Sequence, residues 1–271
     1  MKQPGTCPTR RVFASSPLLT FVLIAFGVTW IGWVPVAILS HVRDSRILAN
    51  PLVSLSPFAF GPTAAGIIVT GMTEGRAGVR RLMRRVVAWR VRIGWYLVVL
   101  FLPLMTFLLA GYLKAAVSRV PMDFTHTAIR VQYPDLSPLV LLVPALITGV
   151  LWGPINEEIG WRGYALPYLQ RRLSPFVASI VLGIMWGLWH LPLFWIKGMV
   201  QSEMPIFAFM VSILVNTFLY TWVHNNTSGS ILMAIIMHNT FNTFTAYVPI
   251  APIDWWTILV TATVVAAAVL S

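Results

Sequence analysis

GPINEEIGWRGYALPYLQ, residues 153–170, sets Glu157, Glu158 and Arg162 inside a long apolar segment of a 271-residue chain with only 8 acidic residues. An ionisable side chain at membrane depth costs roughly 2.5–3.5 kcal/mol on insertion scales, so it persists there where it is paired or serves a site. Helical geometry divides the three. At about 100° per residue, Glu158 and Arg162 lie one turn apart on one stripe, acid first, and neutralise each other. Glu157 is rotated by about 100° from that stripe and is left to face a different neighbour. One carboxylate therefore reads as structural and the other as available. A buried ion pair alone would account for Glu158 and Arg162, but not for an unpaired second Glu beside them.

Working outward, 58% hydrophobic residues, 10% charged residues and a mean hydropathy of +0.79 describe an all-α polytopic membrane protein. The net charge of +11 does not point to nucleic acid, because the basic residues gather beside apolar segments and no nucleic-acid module is present. Cys7 is the only cysteine, which excludes an intramolecular disulfide and cysteine metal sites and reads as a free thiol on a cytoplasmic tail.

The apolar runs predict a single transmembrane domain, 1–271, built as a bundle of about eight helices. The expected spans are 18–40, 52–72, 95–116, one from near 137 through the opening stretch, then 174–196, 205–223, 228–248 and 255–271. The fourth is too long for one perpendicular helix, so Gly153-Pro154 should kink it and 164–172 should lie at the interface. The loop 74–94 carries Arg76, Arg80, Arg81, Arg84, Arg85, Arg90 and Arg92, which reads as a cytoplasmic interfacial helix touching anionic headgroups. With that loop inside, the N-terminus is cytoplasmic as well, and a bacterial inner membrane is the expected location. His41 and His224 read as solvated interface residues, as do Asp123, His126 and Asp135 of the polar loop 117–137.

Two further spans carry polar groups at depth. SPFVASIVLGIMWGLWHLPLF, 174–194, has His190 as its one ionisable residue. Counted from the turn at 171–174, His190 should lie at similar depth to Glu157 and Glu158 on the preceding helix. SILMAIIMHNTFNTFTAY, 230–247, places His238 and Asn242 one turn apart on one face. Each alone is commonly an interhelical hydrogen-bond partner. Together, two Glu, two His, an Arg and an Asn on three helices supply a general base, a proton shuttle and oxyanion donors, the groups that hydrolysis needs. Glu157, His190 and His238 would also make a three-ligand Zn²⁺ set with an open water position. HExxH, GxSxG and paired intramembrane aspartates are absent from the sequence. A non-catalytic membrane scaffold or self-immunity protein, and a proton-coupled transporter, stand as the competing classes; no inverted repeat favours the last.

At these residues the chain resembles the CAAX prenyl protease and bacteriocin-processing family, also called the Abi family. Glu157, Glu158 and Arg162 match EExxxR; Trp186 to His190 matches FxxxH with Trp for Phe; His238 and Asn242 match HxxxN. The resemblance covers about 138–248. It implies an eight-span bundle with a cavity open toward the cytosol or inner leaflet, and intramembrane endopeptidase activity on a peptide or membrane-protein substrate that includes lipidated ones. It further implies that Glu157 with His190 activates water, that His238 and Asn242 hold the oxyanion, and that Glu158 and Arg162 support them. The family is often labelled metalloprotease, and the resemblance leaves both a Zn²⁺ and a metal-free scheme open.

Overall fold

The computed structural model describes residues 16–42, 58–151, 153–251 and 253–270. Cys7, the basic N-terminal tail, the loop with Arg43, Asp44 and Arg46, and the start of the expected second span lie outside the described residues. The main helices are α1 (Pro17–Val42), α2 (Gly61–Val86), α3 (Ile93–Ser118), α4 (Pro138–Thr148), α5 (Pro154–Gly160), α6 (Leu166–Gln170), α7 (Pro175–Trp189), α8 (Ile206–Asn226), α9 (Ile231–Tyr247) and α10 (Trp255–Leu270). Among the described residues there is no strand, so the protein is all-α, as the apolar runs require.

Length and composition make α1, α3, the segment Pro175–Trp195 and α8 capable of crossing a membrane. The pair Pro138–Leu151 and Pro154–Gln170 adds a fifth span if it is counted as one, bent by 42°. The expected kink at Gly153-Pro154 is thus present, and its cause is local. Gly153 has φ 155° and ψ −65°, a conformation that L side chains rarely adopt, and Pro154 has no N–H to continue a ladder. α9, with 17 residues, and α10, with 16, are shorter than a full span. The face of α9 is mostly buried in the bundle, whereas α1 and α3 turn many Leu, Val and Ile outward, where lipid rather than water accepts them.

Packing brings α2 against α5 with their backbones in contact. A Cβ on Gly160 would stand 2.2 Å from the Pro62 carbonyl oxygen, and one on Gly66 would stand 3.1 Å from the Gly160 Cα. The absence of side chains at these two positions is what seats the charged stretch in the middle of the bundle.

Beyond α5 the chain makes a π-turn, Trp161–Ala165, before α6. Residues 161–166 and Leu169 are buried against the rest of the bundle, and Arg171 and Arg172 are exposed. Large apolar side chains account for the burial: Trp161 and Tyr164 pack on Phe21 of α1 at 5.4 and 5.1 Å between ring centres.

The arginine-rich segment continues α2 past a break at Gly75, where φ is 65°. Most of its arginines are exposed, in keeping with an interfacial helix. Arg85 is not: it turns into the protein and donates to the carbonyls of Gly229 at 2.8 Å, Gly163 at 2.9 Å and Arg162 at 3.3 Å. Its Nη2 also lies 2.6 Å from His224 Nε2. His224, 5% exposed, is therefore a buried acceptor for Arg85 and not a solvated residue. Backbone carbonyls of the π-turn and of the reversal at 227–230 give a cation a better partner here than lipid headgroups do.

Candidate active site

Glu158 and Arg162 form the expected ion pair, Nη1 to Oε1 at 3.0 Å, with both side chains fully buried. The guanidinium has more company than the carboxylate: its carbon sits 4.3 Å from the ring centres of both Trp186 and Tyr220, which meet edge to face at 71° and bound it on two adjoining sides. Desolvated cation–π contacts of this kind are worth about 2 kcal/mol each and offset part of the cost of burying the charge.

The same Oε1 of Glu158 lies 2.8 Å from His238 Nδ1. The carboxylate accepts the Nδ1 proton, which fixes the ring and turns Nε2 toward the cavity that His238 lines. Glu158 thus acts on two partners, and the role of support given to it by the resemblance has a geometric content: it orients His238 while Arg162 compensates its charge.

Glu157 stands apart from that network, as its rotation off the stripe requires. Its Oε2 accepts the indole N–H of Trp186 at 2.6 Å. Its Oε1 has no hydrogen-bond partner among the described residues, and it faces the hollow beside Gly153, where a Cβ would come within 3.5 Å of it and 3.8 Å of Asn242 Nδ2. A larger residue at 153 would crowd the space between the carboxylate and the amide.

His190 is positioned by the same tryptophan through its backbone, with Nδ1 2.8 Å from the Trp186 carbonyl oxygen. The carbonyl can only accept, so Nδ1 carries the proton and Nε2 is the basic nitrogen. The Glu157 carboxylate thus bonds the residue one turn before His190, and Glu157 and His190 line the same hollow.

These groups converge on a cavity of about 600 Å³ that is lined by Glu157, Trp186, His190, Tyr220, His238 and Asn242. All the residues singled out in the three motifs are brought together, Glu158 and Arg162 behind the wall and the rest on it. Sequence reasoning missed Trp186 as a donor and Tyr220 altogether. The only signal for Trp186 was its departure from Phe; an aromatic residue in an apolar helix gave none for Tyr220.

Among the described residues, no three His, Cys, Asp or Glu side chains converge closely enough to hold a metal ion. Glu157, His190 and His238 all line the hollow but do not form such a group. This arrangement does not fit the three-ligand Zn²⁺ set, and no step below is routed through a metal.

The fold and the site define a multi-pass helical membrane protein with acid, imidazole and amide groups around a buried hollow. Comparison with known proteins agrees over the same segment: residues 138–244 match the family model described as type II CAAX prenyl endopeptidase Rce1-like. The chain is also 44% identical over 108 residues to CAAX prenyl protease 2 of Methanococcus maripaludis. That match takes in 37% of this chain and spans 39% of the relative's length. The likeness read from the three motifs is borne out over the part that carries them.

Proposed function

We propose that the protein is an intramembrane endopeptidase of the CAAX-protease type in which Glu157 and His190 activate water. The observation that carries this reading is the contrast between adjacent carboxylates: Glu158 is neutralised by Arg162 and engaged with His238, whereas Glu157 keeps one oxygen turned to the cavity.

In this scheme a water lies between Glu157 Oε1 and His190 Nε2. Glu157 takes its proton as the oxygen attacks the scissile carbonyl, then returns that proton to the leaving amine as the C–N bond breaks. His238, held through Nδ1, and Asn242, through its amide, donate to the developing oxyanion. A donor role at His238 Nε2 puts protons on both ring nitrogens, a charge that faces Glu158 Oε1. The relative's name makes a peptide with a lipidated tail the first substrate class to try.

Purified protein in nanodiscs, offered membrane-tethered fluorogenic peptides, tests the reading. Wild type should cleave; Glu157→Gln and His190→Ala should not, while both retain the wild-type elution profile. A chelator arm separates the schemes: loss of cleavage restored by Zn²⁺ would overturn the metal-free one. If wild type and Glu157→Gln bind the same partner and neither cleaves, the scaffold or immunity reading replaces the enzyme.

A further inference from the structure

Arg85 belongs to none of the three motifs, yet its guanidinium holds two stretches of backbone that adjoin them. At the first it supplies donors that the sequence withholds. The Leu166 N–H at the end of the π-turn goes to the Trp161 carbonyl. Pro167 comes next and has no N–H, so it donates neither to Arg162, its partner in π register, nor to Gly163, its partner in α register. Arg85 donates to both carbonyls from outside the helix, at 3.3 and 2.9 Å. At the second stretch its Nε donates to the Gly229 carbonyl at 2.8 Å. Gly229 has φ 75°, and a Cβ there would stand 3.1 Å from Arg85 Nη2, so a glycine is what lets the guanidinium come this close.

These two stretches carry five of the six residues singled out by the motifs. The π-turn continues the helix of Glu157 and Glu158 and contains Arg162, and Gly229 stands two residues before α9, which bears His238 and Asn242. A second tie joins the same pair: the Arg162 side chain bonds Glu158, and Glu158 bonds His238. His238 follows Ile231 by seven residues, about two turns along α9. α9 is thus fastened to the α5 segment at its start by Arg85 and in its middle by Glu158. One tie leaves a rigid helix free to pivot about it, and the second removes that freedom. Leu82 of α2 also packs with Ile159, Ile231 and Ile235. Such apolar contact holds the elements together without direction, whereas the hydrogen bonds of Arg85 set their register.

We propose that Arg85 is a positioning residue: by binding the π-turn and the start of α9 at once, it sets where His238 and Asn242 stand relative to Glu157. What is positioned rests on the endopeptidase reading; the joining of the two stretches does not.

A second-site change separates joining from the mere filling of carbonyls. Arg85→Gln should melt lower than wild type and lose about 10–100-fold in kcat, the effect of a displacement of about 1 Å at reacting groups, with KM changed by less than about twofold. Adding Pro167→Ala returns an N–H to the turn. The double variant should regain melting temperature while kcat stays low, because Gly229 is still unheld. Recovery of kcat along with stability overturns the proposal, as does a wild-type kcat per folded molecule in Arg85→Gln. Gly229→Ala, which disturbs the same contact from the other side with Arg85 in place, should show the same fall in kcat and serves if Arg85→Gln does not fold. A second arm needs no activity. In a Cys7→Ser background, spin labels on Arg172→Cys and Ser228→Cys, both exposed positions, should give a narrow distance distribution. It should broaden in Arg85→Gln and remain broad with Pro167→Ala added; an unchanged distribution overturns the joining. Broadening as expected in a protein whose wild type cleaves no peptide would instead strike at the endopeptidase reading and leave the joining standing.

Discussion

Trp186 donates its indole N–H to Glu157 Oε2 at 2.6 Å, while the backbone carbonyl of the same residue accepts the Nδ1 proton of His190. One residue thus holds both groups assigned to water activation, and it does so at the motif position where the family pattern has Phe.

Replacing it with Phe should separate packing from hydrogen bonding. Trp186→Phe keeps an aromatic face over Arg162 and the carbonyl to His190 but removes the donor. A hydrogen bond to a charged group is worth about 1.5–3 kcal/mol. Lost from the reacting state alone, that corresponds to a kcat lowered about 10–100-fold. Steady-state kinetics on one peptide should find KM nearly unchanged and the melting temperature within a few degrees of wild type.

The two neighbouring glutamates should behave oppositely in stability. Glu158→Gln leaves the buried Arg162 guanidinium without its counter-ion, and breaking such a pair costs about 3–5 kcal/mol. Glu157→Gln removes a charge that has no cation bonded to it and should unfold no more easily than wild type. Thermal unfolding of both variants in detergent checks this; equal destabilisation would contradict the division of roles.

Gly160→Ala should loosen the contact between α2 and α5. The new methyl would lie 2.2 Å from a backbone oxygen, so the helices must part. Overpacking of this kind costs about 1–3 kcal/mol. A lower melting temperature with a parallel fall in activity is expected, whereas Gly94→Ala, where a Cβ meets nothing within 4 Å, should change neither.

At the arginine-rich end, Glu74 bonds Arg81 at 2.6 Å and Arg171 at 3.3 Å. These hydrogen bonds, Arg81 first, hold its carboxyl below the usual carboxylate range. A depressed folded-state pKa contributes stability above the unfolded value and loses it as pH falls through the folded one. Glu74→Gln should therefore melt slightly lower than wild type at pH 7, by the equivalent of about 0.2–1 kcal/mol for an exposed pair, with the gap closing below the ordinary carboxylate range.

What was legible in the sequence was what is costly in a membrane. Glu157, Glu158, Arg162, His190, His238 and Asn242 stood out because polar groups there need a reason, and all six are found at one hollow or behind its wall. Tyr220 and Trp186 gave little signal because aromatic residues in apolar helices are unremarkable by composition. Arg85 was hidden among arginines of the opposite exposure, since a charge run does not say which member turns inward. The π-turn at 161–165 was equally silent.

Arg85 also sets an order of events. It is made early, in the second helix, yet its carbonyl partners at Gly163 and Gly229 follow 78 and 144 residues later. Until both have been synthesised its charge has only water and headgroups to satisfy it, so this end of the bundle locks after translation has passed α8. A truncated nascent chain that stops before Gly229 would hold its first helices in the membrane with that clasp still open.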